Sequence, residues 1–236
     1  MASWFSRRPK RISAPKLGSR AESVTADRAE LEEFTPALPK LLGRAAYVQL
    51  ALFENLGRAV ATAPTTAGKT ALAACAELSI GKHRSLVAEL EQLGKDPAAA
   101  MEPYRAGLDE FQRITQGGDW FEAVLTCYLT AGFLDDFYAR LAAGLDEPDA
   151  SRLTALFTAP SGDDRLVALL AEAMDTNPRL ASRLALWGRR LLGDTMLAAR
   201  DSLQHRRAGD HEQIEPVFTE LIAAHTRRMD ALGLTA

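Results

Sequence analysis

The sequence is poor in cysteine and aromatic residues, and it contains no apolar run long enough to cross a membrane. Cys75 and Cys127 are the only cysteines, and their spacing fits neither a metal-ligand motif nor a redox motif. The uncharged stretch Ala123–Leu134 is shorter than the roughly 17 residues that a spanning helix needs. No apolar segment follows the basic N-terminus, so a secretory signal is not expected. These absences argue against a disulfide scaffold and predict a soluble cytoplasmic protein with two reduced core thiols.

Strand-like alternation of apolar and polar residues is also missing, whereas apolar residues recur at helical spacing. The sequence therefore predicts an all-α fold. Residues 119–142 stand out because their apolar side chains fall on more than one helix face, so this helix is expected at the centre. Short helices are expected between the third and fourth long ones. The predicted helices span residues 26–34, 41–61, 69–93, 97–114, 119–142, 149–158, 163–175, 178–206 and 210–232.

Charge is distributed unevenly, which the net value of -3 conceals. Residues 1–20 carry six basic residues and no acid, so the remaining residues sum to -9. Such a segment has little apolar surface to bury, and we expect residues 1–24 to form a disordered tail and residues 25–236 one helical domain. We expect the basic residues of this tail to contact RNA or another anionic partner. A purely solubilising tail is the alternative. The expected contact residues are Arg7, Arg8, Lys10 and Arg11.

Helix bundles often hold a pair of metal ions through glutamates and Glu-x-x-His motifs on facing helices. Glu54 is the first candidate ligand in this sequence. It shares a helix face with Tyr47, Leu50 and Ala51, so its carboxylate is expected in apolar surroundings, where it needs a partner. An ordinary ion pair with Arg58, four residues later, is the alternative reading.

His83 and Glu122 are the second and third candidate ligands. His83 lies on an apolar helix face, where a core histidine satisfied by an ordinary hydrogen bond is the alternative. Ile80 stands where Glu-x-x-His requires an acid. Glu77 projects about 120° away around the helix and cannot replace that acid, but it is a possible additional ligand that could reach the core from the flank. Glu122 follows Asp119 at the spacing of a capping box, so helix capping is its alternative role.

The fourth bundle helix offers only shorter acids as ligands. Asp163 and Asp164 lie on a short helix, and Asp194 lies on a long one with Arg190 four residues before it, which predicts an Asp–Arg pair. None of the four histidines has an acid three residues earlier. The sequence therefore contains no complete Glu-x-x-His motif.

Four segments carry a family resemblance: ALPKLLGRAAYVQLALFENLGRA, AELSIGKHRSLVAELEQLGKDPAAAMEPY, GGDWFEAVLTCYLTAGFLDDFYARLA and NPRLASRLALWGRRLLGD. Over about residues 35–205 the chain resembles actinobacterial ferritin-like proteins grouped with the tRNA hydroxylase MiaE. The DWFE and LALWGRRL segments are the most specific. The resemblance implies a ferritin-like four-helix bundle with additional short helices. The hydroxylase branch uses a non-haem di-iron centre and dioxygen on a modified adenosine near the tRNA anticodon.

Carried over by position, Glu54 matches the first-helix ligand of that family, His83 the first Glu-x-x-His histidine, and Glu122 the third-helix ligand. These three side chains suit at most one metal ion, so we expect a degenerate site with no cofactor or with a single iron or manganese ion. Two functions stay open. One is a non-catalytic binding or scaffold protein, as a homodimer or RNA-associated partner. The other is an oxygen-dependent tRNA hydroxylase that works through an altered carboxylate and histidine site.

Overall fold

The computed structural model describes residues 34–203 and 210–235, and this part of the chain forms eight α-helices with no strand. The all-α prediction is confirmed. The N-terminal tail and residues 26–33 of the first predicted helix lie outside the described residues. No described helix combines the length and apolar character needed to span a bilayer. The helices are α1 (Leu38–Thr62), α2 (Thr66–Gln92), α3 (Pro97–Ile114), α4 (Trp120–Ala143), α5 (Asp149–Phe157), α6 (Asp163–Thr176), α7 (Pro178–Arg200) and α8 (Asp210–Ala231).

The central helix is α4, as predicted from its apolar residues. It contacts α1, α5, α6, α7 and α8, so it is covered on several sides. Phe133, Phe137 and Leu141 are completely buried in the core around it. In the bundle, α1 packs against α2 and α4, and α4 packs against α7, while α5 and α6 are the additional short helices between α4 and α7.

The first two bundle helices, α1 and α2, form a hairpin and pack along their length. The Thr65 side chain accepts a hydrogen bond from the Gly68 backbone N–H at 3.0 Å, which caps α2. Because of this cap, α2 begins at Thr66, three residues earlier than predicted. Asp96 caps α3 directly before Pro97, as expected from this Asp-Pro pair.

The end of α7 differs from the prediction, because the helix stops at Arg200 instead of continuing to residue 206. Arg44 of α1 donates hydrogen bonds of 2.9 Å to the carbonyl oxygens of Ala198 and Asp201. A guanidinium at this position satisfies carbonyl groups that a helix leaves free at its C-terminus.

Side chains of α8 lie directly against two glycines of the bundle helices. A side-chain carbon at Gly132 of α4 would overlap the Arg228 guanidinium, and one at Gly188 of α7 would overlap the Met229 sulfur. Arg228 also forms an ion pair of 2.9 Å with Asp136. Gly132 and Gly188 therefore leave the space that the Arg228 and Met229 side chains of α8 occupy.

Both cysteines are buried free thiols, in agreement with the prediction. Cys75 lies on α2 with its sulfur 3.5 Å from the Gly162 carbonyl oxygen, and Cys127 lies on α4. Burial raises the pKa of the Cys75 thiol to about 11 and the pKa of the Cys127 thiol to about 12. Both side chains belong to the same apolar core cluster as Leu72 and Leu125.

Candidate functional site

A charged pair lies inside the bundle between α2 and α4. The ammonium nitrogen of Lys82 is 2.7 Å from a carboxylate oxygen of Asp135. Lys82 is 6% exposed and Asp135 is 7% exposed. Charged side chains are rarely buried to this degree unless they are paired, so this pair is the most unusual chemical feature of the described core.

Two further polar side chains complete the hydrogen bonds of this pair. Gln49 of α1 donates its amide N–H to the other Asp135 oxygen at 2.8 Å. The Ser161 hydroxyl donates to Asp135 at 2.9 Å and accepts from Lys82 at 2.8 Å. Lys82 also donates to the Phe157 carbonyl oxygen at 3.3 Å. Each of the three ammonium hydrogens therefore has an acceptor within the polar cluster.

Electrostatics in this region reflect the balance between burial and pairing. Burial raises the pKa of the Asp135 carboxyl, whereas the nearby Lys82 ammonium and the hydrogen bonds from Ser161 and Gln49 act in the opposite direction. Burial also raises the pKa of Asp163, at the start of α6, with Arg228 opposing it. Lys82 of α2 and Arg228 of α8 therefore favour the ionised forms of these two carboxyls.

His83, the candidate ligand next to Lys82, is only partly buried. Its Nδ1 lies 2.9 Å from the Ala46 carbonyl oxygen of α1, within hydrogen-bond distance. This arrangement matches the alternative reading of a histidine satisfied by an ordinary hydrogen bond. Glu77, the possible additional acid, is exposed on α2.

Glu122 takes part in the cap of α4, as its spacing from Asp119 indicated. The Asp119 carboxylate accepts from the Glu122 backbone N–H at 3.0 Å, and the Glu122 carboxylate accepts from the Gly118 backbone N–H at 2.7 Å. Arg183 of α7 forms ion pairs with both acids. Both Glu122 oxygens therefore face partners at the end of the bundle.

Glu54 lies on an exposed part of α1, and its predicted apolar surroundings are wrong. It lines a groove of about 350 Å³ with Tyr47, Asp109 and Arg113. The physical reason is that the polar side of α3 packs next to this face of α1. The alternative ion pair is also not formed, because Arg58 donates to Asn55 and to Gln112 instead.

The remaining acids are dispersed. Asp163 and Asp164 lie in the first turn of α6, where Asp163 is partly buried and Asp164 is exposed. Asp194 lies 4.0 Å from Arg190, so the predicted Asp–Arg pair is formed. The four basic contact residues predicted near the N-terminus, Arg7, Arg8, Lys10 and Arg11, lie outside the described residues.

Within residues 34–203 and 210–235, no three histidine, cysteine, aspartate or glutamate side chains form a group that could hold a metal ion. A di-iron centre of the kind implied by the resemblance needs several carboxylates and histidines that converge in the bundle core. The polar core instead contains one carboxylate, an ammonium, an amide and a hydroxyl. This donor set does not fit a di-iron centre.

The cluster around Lys82 is the feature that sequence reasoning missed. A local signal existed, because Lys82 continues the buried row Leu72, Cys75, Ser79 and Leu86 at spacings of three and four residues. Gln49 and Asp135 likewise occupy buried rows of α1 and α4. A polar residue in such a row indicates a buried partner, although the sequence does not say which one.

Comparison with known proteins adds a family assignment to this geometry. A family model described as a ferritin-like domain of actinomycetes matches residues 32–211. A comparison with curated proteins finds no significant match.

Proposed function

The chain belongs to the ferritin-like domain family of actinomycetes, and from that premise we propose that it is a non-catalytic binding or scaffold protein. In this proposal the protein is related to tRNA hydroxylases of the MiaE type and has a degenerate metal site. The supporting observation is where the three candidate ligands carried over from the resemblance lie. Glu54 lines a surface groove, the His83 ring lies within hydrogen-bond distance of the Ala46 carbonyl oxygen, and Glu122 takes part in the cap of α4.

The chemistry of oxygen activation explains why this placement supports binding rather than catalysis. Two iron ions held close together need carboxylates that bridge them and neutralise their charge. Glu122 would have to leave a helix cap, which typically contributes about 1 kcal/mol, before it could point to a shared site. Glu54 is exposed on α1, away from the closed polar core.

Metal content is the direct test. Wild-type protein and a Glu54→Ala, His83→Ala double variant are purified without metal supplementation and then incubated with ferrous iron under anaerobic conditions. Elemental analysis should find the same substoichiometric metal in both, and in a Glu91→Ala control that removes an exposed acid of α2. Near-stoichiometric iron or manganese that is lost only in the double variant would refute the proposal. Oxygen consumption with tRNA would then be the next measurement.

The binding partner that we propose is RNA or another anionic molecule held by the basic segment, residues 1–20. Contacts between cations and phosphates release counterions, so the affinity should fall steeply with salt. A filter-binding titration with bulk tRNA at two salt concentrations would measure this for the full chain and for a variant with alanine at four basic positions. Equal binding by both proteins would exclude this contact. The four positions are Arg7, Arg8, Lys10 and Arg11.

A scaffold role also includes self-association into a homodimer. Sedimentation equilibrium of the full chain should then give twice the mass of a single chain, with a dependence on protein concentration. A monomer at every accessible concentration would remove the dimer from the proposal and leave the anionic partner.

A further inference from the structure

The Lys82 ammonium is surrounded by oxygen atoms from different parts of the fold. Its neighbours are the Asp135 carboxylate at 2.7 Å, the Ser161 hydroxyl at 2.8 Å and the Phe157 carbonyl at 3.3 Å. Asp135 comes from α4, Phe157 ends α5, and Ser161 lies between α5 and α6. Gln49 of α1 holds the second carboxylate oxygen in place.

Helical bundles build metal sites from side chains that facing helices direct into the core. Carboxylate, hydroxyl and carbonyl oxygens are donors that suit hard cations. The charge of this site, however, fits a monovalent cation, because Asp135 is its only carboxylate. A lysine ammonium is a compact single charge with three hydrogen-bond donors, which matches the three oxygen neighbours in number.

We infer that the bundle core contains an oxygen-lined site for one monovalent cation and that the Lys82 ammonium is its resident occupant. In metal-binding bundles a metal ion provides the positive charge of the core site. In this chain the Lys82 side chain provides it. This inference rests on the proposed function, since it assumes that the core holds no metal. It assigns Asp135, Ser161 and Phe157 as the cation's neighbours and Gln49 as a positioning residue.

A vacated site should accept a small external ammonium ion. Lys82→Ala removes the charge together with the stem that carries it, and leaves room for propylammonium beside Asp135. Lys82→Met is the matched control, because it removes the charge and keeps most of the stem volume. Each single variant leaves a buried carboxylate without its partner, so melting temperatures should fall by about 10 °C.

The rescue experiment compares propylammonium chloride with sodium chloride at equal ionic strength and pH 7. Thermal unfolding of Lys82→Ala should shift upwards with propylammonium and saturate, whereas wild-type protein and Lys82→Met should respond equally to both salts. In the double variant Lys82→Ala, Asp135→Asn, propylammonium should no longer raise the melting temperature more than sodium does, because the site no longer carries a negative charge. Rescue of Lys82→Ala no greater than that of Lys82→Met would overturn the inference.

A second comparison keeps the test decisive if Lys82→Ala folds too poorly for a melt. The double variant with Asp135→Asn removes both charges, so it should be more soluble and more resistant to urea than Lys82→Ala alone. If the double variant is the weaker of the two, the carboxylate does not need a cation and the inference is wrong. Iron in wild-type protein would instead refute the proposed function, so the two failures are distinguishable.

Discussion

His225 of α8 is a neutral group whose protonation should weaken the fold in acid. It is 3% exposed, and its Nε2 lies 3.2 Å from the Gly188 carbonyl oxygen of α7. The pKa of His225 is lowered from its ordinary value of 6.5 to about 4. Burial is the main cause, the hydrogen bond to Gly188 opposes it, and the Arg228 guanidinium acts in the same direction as burial. The imidazole therefore stays neutral in the folded chain while it becomes protonated in the unfolded chain.

The sign and size of the effect follow from this difference. Above pH 6.5 the imidazole is neutral in both states, and its full contribution to stability is present. As the pH falls from 6.5 towards 4, the unfolded chain binds a proton that the folded chain does not, so the free energy of unfolding decreases. The difference between 6.5 and about 4 corresponds to a loss of about 3 kcal/mol, which levels off below pH 4.

Urea unfolding followed by circular dichroism at pH values from 8 to 4 would measure this loss. Other acids also titrate in this range, so the informative quantity is the difference between wild-type protein and His225→Gln. The variant should lose about 3 kcal/mol less than wild type between pH 7 and 4. Equal pH dependence of wild type and His225→Gln would refute the reasoning.

Two predictions concern the helices themselves and use the same urea assay at pH 7. Gly193→Ala, which meets nothing within 4 Å, should stabilise the protein by up to about 1 kcal/mol, whereas Gly132→Ala should be less stable than Gly193→Ala by about 1 kcal/mol because the new methyl group forces the Arg228 side chain to shift. If both alanines have the same effect, the contact between Gly132 and Arg228 does not constrain the fold. Thr65→Ala should cost about 1 kcal/mol through loss of the α2 cap, and the neighbouring Thr66→Ala should cost little. Similar losses in the two threonine variants would contradict the assigned cap.

The helical architecture could be predicted because its signals are local. The central helix followed from an uncharged segment with apolar residues on several faces, and α3 followed from the Asp96-Pro97 pair. The end of α7 was predicted less accurately because its deciding contact is distant. The end of α7 is capped by Arg44, which lies more than 150 residues earlier in the chain. No local pattern reveals such a partner.

The polar core could not be predicted for a related reason. Neighbouring residues on a helix differ by about 100° in direction. Assigning the buried face of α2 one residue too late therefore selects His83 as the core residue instead of Lys82. An imidazole is the more common metal ligand, which favoured His83 in the sequence reading. Lys82 is recognisable as a core residue only together with Asp135, which is 53 positions away. The charges stabilise each other through a contact that exists only in the folded chain.

The two buried thiols give the protein a practical property for labelling. With pKa values of about 11 and about 12, fewer than roughly one thiol in a thousand is ionised near neutral pH. Both cysteine residues are also almost completely buried. The folded protein should therefore not react with maleimide reagents even though Cys75 and Cys127 are present. A single exposed cysteine, such as Leu186→Cys on α7, would carry a fluorophore or spin label alone, so distances within assemblies could be recorded on an otherwise native chain.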